Sequence, residues 1–143
     1  MLSNSSKYAV KAVLYLAMNS NYEKRVMVKD IAEPINVPQA YIAKLLQELS
    51  RSGVISSIKG PRGGFYLSEK NRNGTLMDVI SVIDDESKLS SCVLSIEKCN
   101  AKKPCPLHNL VSPTMTILLK SFRETTIEDF SNQIRQGLVF LPL

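Results

Sequence analysis

Along the first third of the chain, apolar residues recur in steps of three and four. Ala9, Ala12, Val13, Leu16 and Ala17 make one such stripe, the spacing that gives a helix a single buried face. Ser5 or Ser6 is placed to cap this helix, and the Asn19-Ser20-Asn21 cluster to end it. A shorter helix is predicted over about residues 28–34, with Val28, Ile31 and Ala32 inward and Pro34 near its end. Asn36-Val37-Pro38 then breaks the chain, and Pro38 suits the first position of the next helix, where its missing N–H costs nothing. Ile42, Leu45, Leu46 and Leu49 form the inner stripe of that helix, which stops at Ser52-Gly53.

The outer face of this third helix is polar: Gln39, Ala40, Ala43, Lys44, Gln47, Glu48 and Arg51, with Tyr41 on the flank. A short helix, a tight turn and a second helix with a polar outer face form a helix-turn-helix pattern. Two β-prone runs follow, Val54 to Lys59 and Phe65 to Leu67, around the turn Gly60-Pro61-Arg62-Gly63-Gly64, which predicts a hairpin. This glycine-rich turn is not a nucleotide loop, because no Gly-Lys-Ser/Thr ends it and a strand, not a helix, follows. The expected fold is mainly α with a small β-hairpin wing. A winged helix-turn-helix domain occupies residues 1–74, and residues 75–143 supply a second unit with a C-terminal dimerisation helix.

Charge assigns a role to the first unit. Residues 1–70 carry 10 basic and 5 acidic side chains, whereas residues 71–143 carry 8 of each, so the whole net charge of +5 lies in the first part. A basic winged module matches a polyanion, and double-stranded DNA is the expected partner. Pro38, Gln39, Ala40, Tyr41 and Lys44 stand at the start of the reading helix. Gln39 can pair with adenine, Lys44 can reach guanine or phosphate, and Ala40 can touch a thymine methyl; Tyr41 serves equally well as a packing residue. Lys59 and Arg62 at the wing suit a narrow minor groove. No apolar run approaches the ~18 residues of a spanning helix, so membrane insertion is not expected. The apolar start, with Lys7 and Lys11 ahead of it, lacks a cleavage site and keeps helical spacing, so it reads as a folded helix of a cytoplasmic protein.

In the second unit, Thr75 and Asp78 form a capping box ahead of Leu76, Val79, Ile80 and Ile83. Acidic Asp84-Asp85-Glu86 then begins a solvated loop. Residues 88–108 hold Cys92, Cys99, Cys105 and His108, separated by six, five and two residues, in a stretch rich in Ser, Lys, Asn and Pro. An odd number of cysteines makes a poor disulfide framework. Soft thiolates and an imidazole converging from a loop suit an iron–sulfur cluster, or in second place zinc, whose structural sites use closer cysteine pairs. A cysteine nucleophile with His108 as base is disfavoured, since this is the sole histidine and no third orienting group is evident. Beyond the loop, Leu107, Leu110, Val111, Met115, Leu118 and Phe122 keep helical spacing, with Pro113 among them. Either Ser112 caps a new helix there or an earlier helix kinks. Val111, Met115, Leu118 and Phe122 are the expected contacts of a homodimer, whose symmetry fits a palindromic operator. Thr126 caps a last helix ending at Gly137, and the apolar tail Leu138 to Leu141 needs cover.

These residues resemble, over nearly the full length, the IscR-like branch of the Rrf-type winged-helix regulators. The likeness is carried by Lys7-Tyr8-Ala9-Val10, by Tyr41, by the wing Lys59-Gly60-Pro61-Arg62-Gly63-Gly64, and by the three cysteines with His108. The resemblance implies a homodimeric bacterial transcription factor that senses redox state, nitric oxide or iron–sulfur supply. It also implies a 2Fe–2S cluster held by Cys92, Cys99, Cys105 and His108. Nitric-oxide-sensing relatives instead take an aspartate from the partner's first helix; Lys7 stands at that place here and offers no oxygen ligand. A cluster-free or zinc-bound regulator using its cysteines as thiol sensors, or a protein partner as signal, is the alternative. Ala43 replaces a polar or acidic reading residue of some relatives, so their base preference does not carry over.

Overall fold

In a computed structural model, which describes residues 2–91, 94 and 100–141, the chain folds as eight helices and a two-stranded hairpin among the described residues. The first helix, α1 (Asn4–Asn19), buries Ala9, Ala12, Val13, Leu16 and Ala17. Its cap is Ser3, whose side chain accepts from the Ser6 N–H. Ser5 and Ser6, the expected caps, lie inside the helix, because Ser3 holds the extended backbone (φ −64°, ψ 162°) that an N-cap needs.

Helix α2 (Val28–Ile35) keeps Pro34 in its last turn and ends at Asn36, whose left-handed backbone (φ 59°) turns the chain towards α3 (Gln39–Arg51). Pro38 stands one place earlier than expected, as the N-cap of α3, and its ψ of 136° keeps it extended. Strands β1 (Ser56–Ile58) and β2 (Gly64–Tyr66) pair antiparallel, Ser57 opposite Phe65. Val26 adds a bridge to Phe65 through two 2.8 Å bonds, so the loop before α2 becomes a third edge of the wing. A Cβ on Gly64 would lie 2.8 Å from the Val26 carbonyl oxygen and its φ is 150°, so only glycine allows this close approach.

Two elements escaped sequence reading. Helix α4 (Glu69–Arg72) is a single turn with a Ser68–Asn71 capping box. Asn71 also donates to the Gly53 carbonyl and accepts from Ser56, tying the wing to the end of α3. After α5 (Leu76–Ile83), opened by the expected Thr75–Asp78 box, the acidic stretch forms α6 (Glu86–Leu89) in place of a loop. Asp85 caps it, and Leu89 is buried. Helix α7 (His108–Glu124) runs continuously through Pro113 and begins at His108, so Ser112 caps nothing. Thr126 and Asp129 box the start of α8 (Ile127–Arg135) as expected.

Two cores result. The larger joins α1, α2, α3 and the hairpin, and takes in Val79 of α5 and Ile127 of α8. Side chains from beyond residue 74 thus complete the packing of the first segment. The smaller unites Leu76, Met77, Ile80, Leu89 and Leu119, with Met115 and Phe122 half-buried against it. Of the four expected dimer contacts, these two therefore pack within the chain, Val111 is half-buried, and Leu118 is 39% exposed. The most exposed apolar residues of α7 are Leu110 at 72% and Ile117 at 67%, one heptad apart on one face. In the tail, Leu138 and Phe140 are also exposed.

Candidate nucleic-acid interface and metal centre

The two halves of the helix-turn-helix place α3 with its N-terminus and polar stripe outward. Pro38, Gln39, Ala40, Tyr41 and Lys44 are all exposed, as are Lys59 and Arg62 at the wing. Structure therefore brings the seven residues onto surface-facing sides of α3 and the adjacent hairpin. Tyr41 has two faces. Its ring meets Tyr8 edge-on at 5.9 Å and its hydroxyl shares a 2.6 Å hydrogen bond with Ser5, while 37% of the residue stays exposed. The packing and reading roles are both open to it.

Between α3 and the wing runs an open groove lined by Gln47, Ser50, Arg51, Ser57 and Lys59 among others. Ser50 and Ser57 close it with a 2.8 Å hydroxyl pair.

Arg25 went unnoticed in the sequence. Its Nε donates to the Arg62 carbonyl (3.1 Å), Nη1 donates to the Tyr22 carbonyl, and the guanidinium lies 5.7 Å from the Tyr22 ring centroid. Tyr22 in turn packs edge-on against Tyr66 of β2. Arg25 thus braces the wing turn from outside it and adds a cation beside Arg62. Nothing local signals this, since the bonded residues are 37 apart.

The candidate metal centre lies at the other end of the chain's second half. Cys105 and His108 line one pocket of about 150 Å³ with Ser90, Ser91, Leu107, Val111 and Met115. The His108 backbone N–H donates to the Cys105 carbonyl at 3.0 Å, so the start of α7 ties the backbones of these two residues together. Cys92 and Cys99 lie outside the described residues, and among the described residues no group of three donors stands together. The donor chemistry nevertheless fits a cluster: thiol and imidazole share one largely apolar recess, and Ser91, on its wall, directly precedes Cys92.

Asp84 closes the same half against α1. One carboxylate oxygen accepts from the Ser6 hydroxyl (2.7 Å) and the Ser3 N–H (3.2 Å). Desolvation pushes its pKa up, but the Ser3 and Ser6 hydrogen bonds, with the Lys88 charge, outweigh it and hold the carboxyl below the ordinary 3.8. A folded-state value below the unfolded one stabilises above the unfolded pKa and is lost as pH falls through the folded value. Urea unfolding is therefore expected to show falling stability below about pH 4, with a shallower acid limb for Asp84→Asn. Equal acid limbs in the two proteins would contradict this role. Asp85 and Asp129, exposed helix caps, are lowered by their hydrogen bonds with Ser87 and Thr126 and contribute to both curves alike.

Fold and exposed basic face together define a winged helix-turn-helix DNA-binding protein. The chain matches the Rrf2 family, iron-dependent transcriptional regulators, over residues 2–133. It belongs to that family, whose members are transcription regulators and not enzymes. It is 36% identical over 134 residues to a predicted HTH-type transcriptional regulator of Aquifex aeolicus, covering 92% of each chain. It is 27% identical over 131 residues to the regulator IscR of Pectobacterium atrosepticum, covering 92% of this chain and 79% of that one. Among solved structures, CymR, the global cysteine regulator of B. subtilis, superposes with a TM-score of 0.74 at 23% identity, covering 92% and 96%. That last likeness speaks for the fold. Among the described residues no helix is long and apolar enough to cross a membrane.

Proposed function

We propose that this regulator is a homodimer whose grip on a palindromic DNA operator responds to a 2Fe–2S cluster held by Cys92, Cys99, Cys105 and His108. The observation that carries the reading is the pocket shared by Cys105, His108 and Ser91, which sets two donors beside the backbone leading to a third. When bound, the cluster supplies redox-sensitive iron and sulfide between the cysteine segment and the start of α7. The chain's own residues do the rest. His108 presents its imidazole from the first turn of α7, and Cys105 holds its thiol one turn before it. The ion pair of Arg123 with Glu86 and the burial of Leu89 join α6, and hence Ser90 and Ser91, to α7.

In this reading Gln39, Ala40, Tyr41 and Lys44 meet the major groove, with Pro38 setting the entry of α3. Lys59 and Arg62 meet the minor groove. Two copies join through α7, where the apolar Leu110, Ile117 and Leu118 lie exposed; a second copy burying them gains about 25 cal/mol per Å² of apolar surface. Met115, Phe122 and Val111 back that face from within.

Anaerobic purification followed by an iron and sulfide count and a visible spectrum tests the proposal. The expected protein is coloured, with equal iron and sulfide, and Cys105→Ala loses the colour while keeping its melting profile. A colourless protein, or one carrying zinc, would replace the cluster by a thiol or zinc sensor. Ile117→Glu is expected to turn the dimer into a monomer in sedimentation, because a charge buried in an apolar contact costs several kcal/mol, of order ~3. An unchanged dimer would move the interface elsewhere.

A further inference from the structure

The first turn of α1 lies between the two functional ends of the molecule. Ser6, fully buried, and the Ser3 N–H both bond the Asp84 carboxylate. Ser5, the residue before Ser6, shares a hydrogen bond with the Tyr41 hydroxyl on α3, and Tyr8, one turn on, packs against the Tyr41 ring. Asp84 is the elbow joining α5 to α6, and α6 leads through Ser90 and Ser91 to the cysteine segment. Only 8% of Asp84 is exposed, so a displaced elbow leaves a carboxylate and a serine hydroxyl without their partners. The elbow and the first turn of α1 therefore move together or lose both bonds.

We infer that Asp84 is a positioning residue for DNA recognition: by holding Ser3 and Ser6 it fixes the first turn of α1, and through Ser5 and Tyr8 it fixes Tyr41 at the start of the reading helix. The contact set is continuous from the segment next to Cys92 to the exposed face of α3. It gives a change in the cysteine segment a physical route to the DNA face that passes within one subunit. The inference rests on the reading of that face as the DNA surface and of Tyr41 as part of it. It asks nothing of the cluster itself.

The test is a double-mutant cycle in the full-length protein. The probe is a duplex selected from a random-sequence pool by the wild-type protein. Asp84→Asn is expected to weaken binding roughly fivefold, and Tyr41→Phe by a similar factor. The double variant should bind no more weakly than either single one, because both remove the same positioning. Global destabilisation would still act in the Tyr41→Phe background, so the cycle separates positioning from stability. Ser6→Ala, which removes one bond and keeps the carboxylate, should reproduce a part of the loss and add nothing further in the Tyr41→Phe background. Losses that multiply in the double variant, or wild-type affinity in Asp84→Asn, would overturn the inference. A wild-type protein that selects no duplex would overturn the DNA reading and the inference with it.

Discussion

Replacing Lys59 and Arg62 together with alanine is expected to weaken duplex binding roughly 60-fold at 0.1 M salt, on the basis of two lost phosphate neutralisations. Each phosphate neutralised adds about 0.9 to the slope of log affinity against log salt, so the pair removes about 1.8 from it. At 1 M salt the two proteins should converge. Both side chains are exposed, so the melting temperature stays put and the loss reports contact alone. Arg62 adds a sequence component that Lys59 lacks. Its turn projects between glycines, and a narrow minor groove concentrates negative potential, so the loss for Arg62→Ala alone should be greater on A-tract duplexes than on G·C-rich ones. Arg25 holds the Arg62 carbonyl, and Arg25→Met should reproduce part of that loss by loosening the turn. Titrations over a range of salt check all of this. A slope within a few tenths of wild type would place the wing away from DNA.

The wing was legible in the sequence because its signal is local: two β-prone runs around a turn that needs glycine. Helices α1, α2 and α3 were legible for the same reason, and Ile42, Leu45, Leu46 and Leu49 are all buried as their spacing predicts. The exposed face of α3 was legible by elimination, as the polar side of a helix whose other side is core. What stayed hidden depends on partners far along the chain. Asp84 reads as one of three acids in a loop until Ser6 meets it across 78 positions. Arg25 reads as one more surface cation until it meets the wing. Short helices such as α4 and α6 offer too few positions for periodicity to show, and their caps, Ser68 and Asp85, are the only signal. The facing of the α7 stripe was harder to read for a different reason. Helix α7 is apolar on more than one side, and spacing alone does not say which side faces its own core. Leu119, outside the expected stripe, is the buried residue of that helix, and it pulls Met115 and Phe122 inward with it. In the candidate centre the residue types were legible from the start. The fold added that Cys105 and His108 share one recess, while Cys92 and Cys99 fall outside the described residues.

The largest stability loss from a single change to a charged side chain is expected at Arg72, which the sequence presents as an ordinary basic residue in a short polar stretch. Its Nη1 donates to the Ala17 carbonyl (2.8 Å) and its Nη2 to the Ser20 carbonyl (3.1 Å), so one guanidinium closes the C-terminal end of α1. The end of a helix leaves carbonyls without intrahelical partners and carries partial negative charge, so a cation there satisfies both needs. Arg72 also lies 3.5 Å from Glu128 of α8, which joins α1, α4 and α8 at one point. Arg72→Ala is expected to cost ~3 kcal/mol, the scale of two charge-assisted hydrogen bonds lost in a half-buried place, and to lower the melting temperature by about 10 °C. The carboxylate is not what makes this expensive. Glu128 keeps Arg135 on its Oε1 at 3.0 Å when Arg72 is gone. Its Oε2, which faces Arg72 at 3.5 Å, makes no hydrogen bond among the described residues, whereas the two carbonyls lose bonds of 2.8 and 3.1 Å. Glu128→Gln should therefore cost only ~1 kcal/mol or less, as for a partly exposed ion pair. Arg72→Lys should fall between, because a single ammonium lacks the planar fork that spans both carbonyls. Thermal melts of the three variants decide the matter. If Glu128→Gln proves as damaging as Arg72→Ala, the junction is held by the ion pair and the helix-end account is wrong.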